Sequence, residues 1–238
     1  MADLVPIIDL GPWFGGDERD RAAVARQVDE ALRTSGFLLI TGHGVPDDAR
    51  AAARAVARQF FRLPAAVKAR YATTVGGRGW LPPGAEANGY AEGTPTPPDL
   101  KESFSLAADQ PTGNDAIDAR WFRPNVWPAE VPDLQPVVSD YISRMHTLSD
   151  ELMALYAVAL GLPADHFAPF LSHPTYGVNL NWYPPAAPAH GPEPASTGSG
   201  RTPISAPSPC STASRAGVGC RFARPTAPGP TRRTTPPR

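Results

Sequence analysis

The chain reads as an α+β protein: a helical N-terminal region whose strands lead into a sheet, followed by a disordered tail. Three observations carry that reading. Apolar residues recur at steps of four and three over Pro132–Leu160, the mark of a long helix with one buried face. Short apolar or alternating runs at Val5–Leu10, Phe37–Thr41 and Val178–Tyr183 have the length and patterning of strands. From Ala195 to Arg238 there is no Leu, Asp, Glu, Lys, Tyr or Trp, and Ile204, Val218 and Phe222 stand alone. Such a segment cannot bury enough apolar surface to offset the entropy of ordering it.

In chain order, "VPIIDL" (Val5–Leu10) is an apolar strand bounded by Gly11 and Pro12. Asp17 is expected to cap a helix running to about Thr34, with Val24, Val28 and Leu32 stacked at four-residue intervals and Gly36 as the stop. Phe37–Thr41, inside "GFLLITGHGVP", is too short and too evenly apolar for a surface helix and predicts a buried strand. After Pro46, Asp47 is expected to cap a second helix ending near "QFFRLP", and Pro64 to open a short third one. Gly76–Pro98, rich in Gly and Pro, predicts a loop with aromatic islands at Trp80 and Tyr90. "DLKESFSLA" (Asp99–Ala107) alternates poorly, yet a strand from Lys101 is the expectation.

The long helix carries Leu134, Val138, Tyr141, Met145, Leu148, Leu152 and Leu155 as one stripe, closed by Gly161. Its expected role is core packing rather than partner docking. A short helix from Pro163 to about Leu171 then leads to the strand at Val178–Tyr183. Strand side chains alternate, so Val178, Leu180 and Trp182 face a core while Asn179, Asn181 and Tyr183 face the other way. Two polar side chains at i and i+2 sit roughly 6–7 Å apart, a span suited to gripping a small carboxylate. A half-exposed sheet whose polar face meets water shows the same alternation.

The net charge of −1 over 238 residues hides two opposed parts. Every Asp and Glu lies at or before Glu193, whereas Arg201, Arg215, Arg221, Arg224, Arg232, Arg233 and Arg238 lie after it. The body is about −8 and the tail about +7, an asymmetry that can mark a tail for nucleic acid or a membrane surface. Both cysteines, Cys210 and Cys220, also lie in the tail. A body without cysteine argues against a disulfide scaffold and fits a reducing compartment. No charged-then-apolar leader opens the chain, and no apolar run approaches the ~18 residues of a membrane span. A soluble cytoplasmic body with no membrane segment is the expectation.

"VPIIDL", "SGFLLITGHGVP", "FFRLPAAVKARY", "RGWLPPGAE", "DLKESFSL", the Asn125–Pro128 "NVWP" and "LNWYPP" follow one another in this order. Together they resemble the non-haem iron(II), 2-oxoglutarate-dependent oxygenases of the isopenicillin N synthase-like family, over roughly residues 4–185. The resemblance implies an oxygenase N-terminal region over 1–130. A long helix and the first strand of a double-stranded β-helix, or jelly roll, follow over 131–185, left incomplete by the tail at 186–238. It further implies iron(II), 2-oxoglutarate and dioxygen, a small organic substrate of the kind handled in secondary metabolism and antibiotic biosynthesis, and a monomer. Carried over residue by residue, Asn181 and Tyr183 match the Asn-x-Tyr pair that hydrogen-bonds 2-oxoglutarate. Arg78, Glu86, Lys101 and Glu102 match motif positions near the mouth of the site, with structural loop contacts as the alternative reading.

The chemistry of that family needs two His and one carboxylate on one face of the metal, leaving positions open for co-substrate and dioxygen. Its first two ligands come as His-x-Asp or His-x-Glu shortly after the Asn-x-Tyr strand. Here the histidines are His43, His146, His166, His173 and His190, and none is followed at the second position by Asp or Glu. His43 lies in the "GHGVP" turn, where the family keeps a structural histidine. The others are read as structural too, so no catalytic or metal-binding residue is assigned. The distal His and the Arg that anchors the far carboxylate of 2-oxoglutarate are missing as well.

The tail offers a reason. Taking the last base of each codon with the first two of the next, permitted synonymous codons from Pro194 through Arg215 spell GQYRIGPHTDFGTVTVLDRQP. "HTDFGT" is the family's iron motif where it should stand, its His straddling the codons of Arg201 and Thr202. Across Val218–Phe222 the same shift allows "GLQV", another family phrase. Each shifted codon has only its first base free, so a long in-register match is improbable by chance. A single-base frameshift near residues 186–195 therefore accounts for the arginine and proline excess, the lost acids and both cysteines. The expected protein is an iron(II)/2-oxoglutarate oxygenase whose chain as written is truncated and inactive. Two readings of other classes compete. One is a binding protein whose basic tail contacts nucleic acid, disfavoured because the tail lacks Lys and any aromatic beyond Phe222. The other is a non-catalytic protein that captures a carboxylate through Asn181 and Tyr183, its last strand left without neighbours.

Overall fold

The fold, taken from a computed structural model, is described for residues 5–86 and 99–184 and, as backbone, for 218–221. It contains two three-stranded sheets joined by one long helix. In the first sheet β1 (Ile7–Asp9) runs parallel to β2 (Phe37–Thr41), with Ile7 opposite Leu39. Between them lie α1 (Gly11–Gly15) and α2 (Glu18–Thr34). The start of α2 follows from its sequence: the Asp17 carboxylate accepts from the backbone N–H of Arg19 at 2.8 Å and of Asp20 at 3.0 Å. The Asp20 carboxylate accepts from the Asp17 N–H in return, closing a capping box. Val24, Ala25, Val28 and Ala31 form the buried face of α2. Leu32 packs at its margin. After β2 the chain turns at Gly42, whose φ of 61° lies in the left-handed region. A Cβ there would collide with the Asp9 carboxylate, so only glycine fits.

Helix α3 (Asp47–Phe61) departs from expectation at its start. Pro46 holds the cap position with an extended backbone and no side-chain cap, and Asp47 is already helical. Its carboxylate accepts instead from Arg50 Nη2 at 2.8 Å, and it places negative charge in the first turn beside Asp48. The short helix after Pro64 is α4 (Ala65–Lys68).

The stretch expected as loop from Gly76 contains a three-residue strand, β3 (Gly79–Leu81), fully buried and paired with Ser103–Ser105. Three residues are too few for periodicity to register; only the partner strand reveals them. That partner is β4 (Glu102–Ala107), five of whose six residues are buried. Both its faces are covered, which explains the weak alternation. After α5 (Asp115–Trp121), helix α6 (Leu134–Ala159) closes the core. The helix expected from Pro163 is reduced to one 3-10 turn at Ala168–Phe170. Pro169 has no N–H for a continuing α-helical ladder.

Helix α6 serves two cores. Leu148, Leu152 and Leu155 join Ile8, Leu10, Trp13, Val24, Val28, Leu38 and Ile40 around the first sheet. Leu134 and Val138 join Val56, Phe60, Phe61, Trp80, Phe104 and Leu106 around the second. The expected stripe holds, with Tyr141 and Met145 half-buried where the two cores meet.

The second sheet is completed by β5 (Gly177–Trp182), antiparallel to β4 over six pairs from Glu102–Trp182 to Ala107–Gly177. The expectation that this strand lacks neighbours is corrected on one edge; along the other, no strand is found among the described residues. The disorder expected for 186–238 is likewise broken at β6 (Val218–Arg221), which pairs antiparallel with β2. Backbone donors and acceptors on an open strand edge need no apolar cluster to recruit a partner. The rest of that tail, with His190 and Cys210, lies outside the described residues, as does Tyr90. Among the described residues no helix is long and apolar enough to cross a membrane.

Candidate functional site

Strand β5 brings its two faces to different chemistry. Val178, Leu180 and Trp182 pack on the second core, with Trp182 stacked on Phe61 at a centroid distance of 6.2 Å. Asn179 and Asn181 face the other way, each opposite a serine of β4. Ser103 Oγ lies 2.8 Å from Asn181 Oδ1, and Ser105 Oγ lies 2.7 Å from Asn179 Oδ1. Tyr183 follows directly and is 53% exposed. Beside Ser103, Lys101 Nζ pairs with Glu86 Oε2 at 2.8 Å, and that oxygen is 3.4 Å from Ser103 Oγ. Lys101, Glu86, Ser103 and Asn181 thus form one polar strip. The serines carry no motif of their own; only cross-strand register reveals them.

A groove of about 610 Å³ opens along β5, walled by α3 and α6. Asn181 and Tyr183 line it, together with Phe61, Tyr141 and His146. Arg50, Arg54 and Arg58, spaced one turn apart on α3, give that wall a positive character. Toward the groove β5 presents Val178, Leu180 and Trp182, whereas the Asn179 and Asn181 side chains turn to the serines of β4, so arginines and amides lie on opposite faces of the strand.

The remaining sequence-derived candidates go elsewhere. Glu102 is opposite Trp182 and therefore on the core face, away from Asn181. Its Oε2 accepts from Lys68 Nζ and from Trp80 Nε1, both at 2.6 Å, and Lys68 Nζ also donates to the Phe61 carbonyl at 3.1 Å. This buried ion pair ties α4 to β4, a structural contact rather than a group at the mouth. Lys68 gave no signal in the sequence, since a lysine in a short helix is ordinarily solvated. Arg78 is also engaged structurally: its Nη2 donates to the carbonyls of Ala108 at 2.7 Å and Trp121 at 2.8 Å. Its Nη1 is buried without a partner among the described residues. Burial, then the nearby Arg123, pulls the Arg78 guanidinium below its usual pKa. Asp99, buried between the Glu86 carbonyl and the N–H of Gly84, has its carboxyl pushed up by burial. Burial likewise raises the Tyr176 phenol, whose ring meets the edge of His146 at 4.4 Å.

Iron does not fit these residues. Among the described residues no three of His, Cys, Asp and Glu come together as a metal site. His43 Nδ1 accepts the Val45 N–H at 3.2 Å within its turn. His166 rests edge-on against Phe167, and His173 stands beside Ser172. Toward 2-oxoglutarate, Asn181 and Tyr183 offer an amide and a phenol, groups whose chemistry fits a carboxylate.

Residues 5–130 match the family described as non-haem dioxygenase in morphine synthesis N-terminal. The chain is 37% identical over 185 residues to validamycin A dioxygenase of Streptomyces hygroscopicus subsp. limoneus, covering 77% of this chain and 51% of that one. It is 28% identical to a 2-oxoglutarate-Fe(II) type oxidoreductase of Metarhizium rileyi, covering 78% and 52%. The chain therefore spans about half the length of the curated relatives it matches. Among solved structures, it is similar to a 2OG-Fe(II) oxygenase family protein from Caulobacter crescentus, with a TM-score of 0.64 and 27% identity over 76% of this chain and 56% of that one. A C-terminally truncated protein of Neurospora crassa, crystallised in its apo form, gives a TM-score of 0.62 at 25% identity, over 77% and 64%. With a family match across more than half of its residues and oxygenases among both its relatives and its structural neighbours, the chain belongs to the 2-oxoglutarate- and iron(II)-dependent non-haem dioxygenases.

Proposed function

We propose that the described body is the co-substrate side of an oxygenase acting on a small organic metabolite, and that the chain as written does not complete the reaction. The observation that carries the first half is the pair Asn181 and Tyr183 at the end of β5, with the Asn181 side chain on the strand face turned away from the core, against Ser103. Asn181 would donate an amide N–H, and Tyr183 its phenolic O–H, to one carboxylate of 2-oxoglutarate. When bound in such an enzyme, iron supplies the activation of dioxygen; nothing here assigns a residue of this chain to hold it.

The second half rests on the missing His-x-Asp or His-x-Glu and on the shifted reading frame that restores one. The half-length match to relatives agrees with a chain whose coding sense changes near residues 186–195. The same shift accounts for the tail's arginines without a nucleic-acid partner. The full chain, supplied with iron(II) and 2-oxoglutarate under air, is expected to bind 2-oxoglutarate weakly and to form no succinate. Stoichiometric iron binding with succinate production would overturn the inactivity. Sequencing the gene is the second check: codons that fail to spell His-Thr-Asp one frame over dispose of the frameshift.

A further inference from the structure

We infer that Ser103 is a positioning residue for the Asn181 amide, deciding that its NH₂ rather than its oxygen is offered to a ligand on the open polar face of β5. This rests on the reading that Asn181 meets a carboxylate of 2-oxoglutarate. Ser103 is 1% exposed, and the register of β4 and β5 sets it directly across from Asn181. A serine hydroxyl has one proton to give. Two acceptors stand near it, Asn181 Oδ1 at 2.8 Å and Glu86 Oε2 at 3.4 Å. The nearer, by 0.6 Å, takes the proton.

With its oxygen held by Ser103, the Asn181 amide turns its NH₂ away from β4. Among the described residues no acceptor is recorded for that NH₂. An ionised carboxylate only accepts hydrogen bonds, so an amide anchored by its oxygen always meets it with a donor. An unanchored amide turns over and presents oxygen to oxygen for part of the time, which is repulsive. The neighbouring rung, Ser105 to Asn179 at 2.7 Å, has the same chemistry one step farther from Tyr183 and serves as an internal control.

The test titrates the full chain with 2-oxoglutarate, following the side-chain amide signals of Asn181 by NMR. Ser103→Ala is expected to weaken the affinity by about 5–10-fold, the usual worth of one net hydrogen bond. Ser103→Thr, which keeps the hydroxyl, restores it to within about twofold. Ser105→Ala is expected to lower thermal stability as much as Ser103→Ala while leaving the affinity within about twofold. Should Ser103→Ala not fold, Ser103→Cys, close in size but a weak donor, takes its place with the same expected direction. Equal affinity in the wild type and the Ser103 variant overturns the positioning role alone. A wild-type chain that takes up no 2-oxoglutarate sinks the co-substrate reading, and the positioning role with it.

Discussion

The two cores of this protein are built from the same helix yet differ in how they are closed. Around the first sheet, Leu10, Val28, Leu38, Ile40 and Leu155 are buried, and charge meets the cluster at Trp13, whose Nε1 donates to the half-buried Glu151 at 3.0 Å. Around the second, Val178, Leu180 and Trp182 are only half-buried, and the Lys68–Glu102 pair lies among Phe60, Phe61 and Trp80. The first core has the surface it needs from the described chain. The second is held by a specific polar contact and left open along β5, and it is this open side that carries Asn181 and Tyr183. Where the packing stops, the candidate chemistry begins.

The sharpest way to break that contrast is to remove one charge from the second core. Glu102→Ala strands the Lys68 ammonium in an apolar setting and is expected to cost about 3–5 kcal/mol, read by chemical denaturation. Joint replacement, Lys68→Met with Glu102→Leu, is expected to cost less than Glu102→Ala alone, because no charge is left unpaired. If the double variant is the worse of the two, the pair contributes more than mutual neutralisation.

Next in size, Leu155→Ala in the closed core is expected to cost about 2–5 kcal/mol through a cavity that cannot collapse. Trp182→Ala, despite its larger side chain, should cost less, since that side chain is still partly in water. A larger loss at Trp182 would mean that β5 is not the open side. Smaller again, Asp17→Ala removes the Asp17 carboxylate that accepts from the Arg19 and Asp20 N–H groups, leaving the Asp20 arm of the capping box, and is expected to cost about 1 kcal/mol. Thermal melts in which that variant matches the wild type would show that α2 is held by tertiary packing alone.

The smallest expected effect is a pH dependence. Burial raises the Asp99 carboxyl above its unfolded value, opposed by Lys101 and assisted by Glu86. The folded state thus favours the protonated form. Its contribution to stability is fully present below the ordinary Asp range and is lost as pH rises through the raised value. Asp99→Asn should flatten that part of the stability profile. A profile unchanged by the substitution would assign the pH dependence to other groups.

Much of this was legible beforehand where local rules are strong. Asp17 with Asp20, the four-residue steps of α6 and the alternation of β5 each carry their own signal. What escaped were features defined by a partner far along the chain. β3 exists only against β4; Lys68 is buried only because Glu102 and Trp80 receive it; Ser103 matters only because register sets it opposite Asn181. The misplacement of Glu102 has the same root. A motif position says that a residue is kept, whereas the parity of a strand register says which face it occupies.

By itself, then, the sequence determined the family, the main helices, the pair Asn181 and Tyr183, and that no His-x-Asp or His-x-Glu follows them. Those are properties of short stretches, governed by backbone propensity and by which side chains are present at all. Only the tertiary structure decided that Glu102 faces the core, that Lys101 and Glu86 pair beside Ser103, and that β5 is open on one edge. These depend on contacts between residues 15 to 80 positions apart, and no local preference reaches that far.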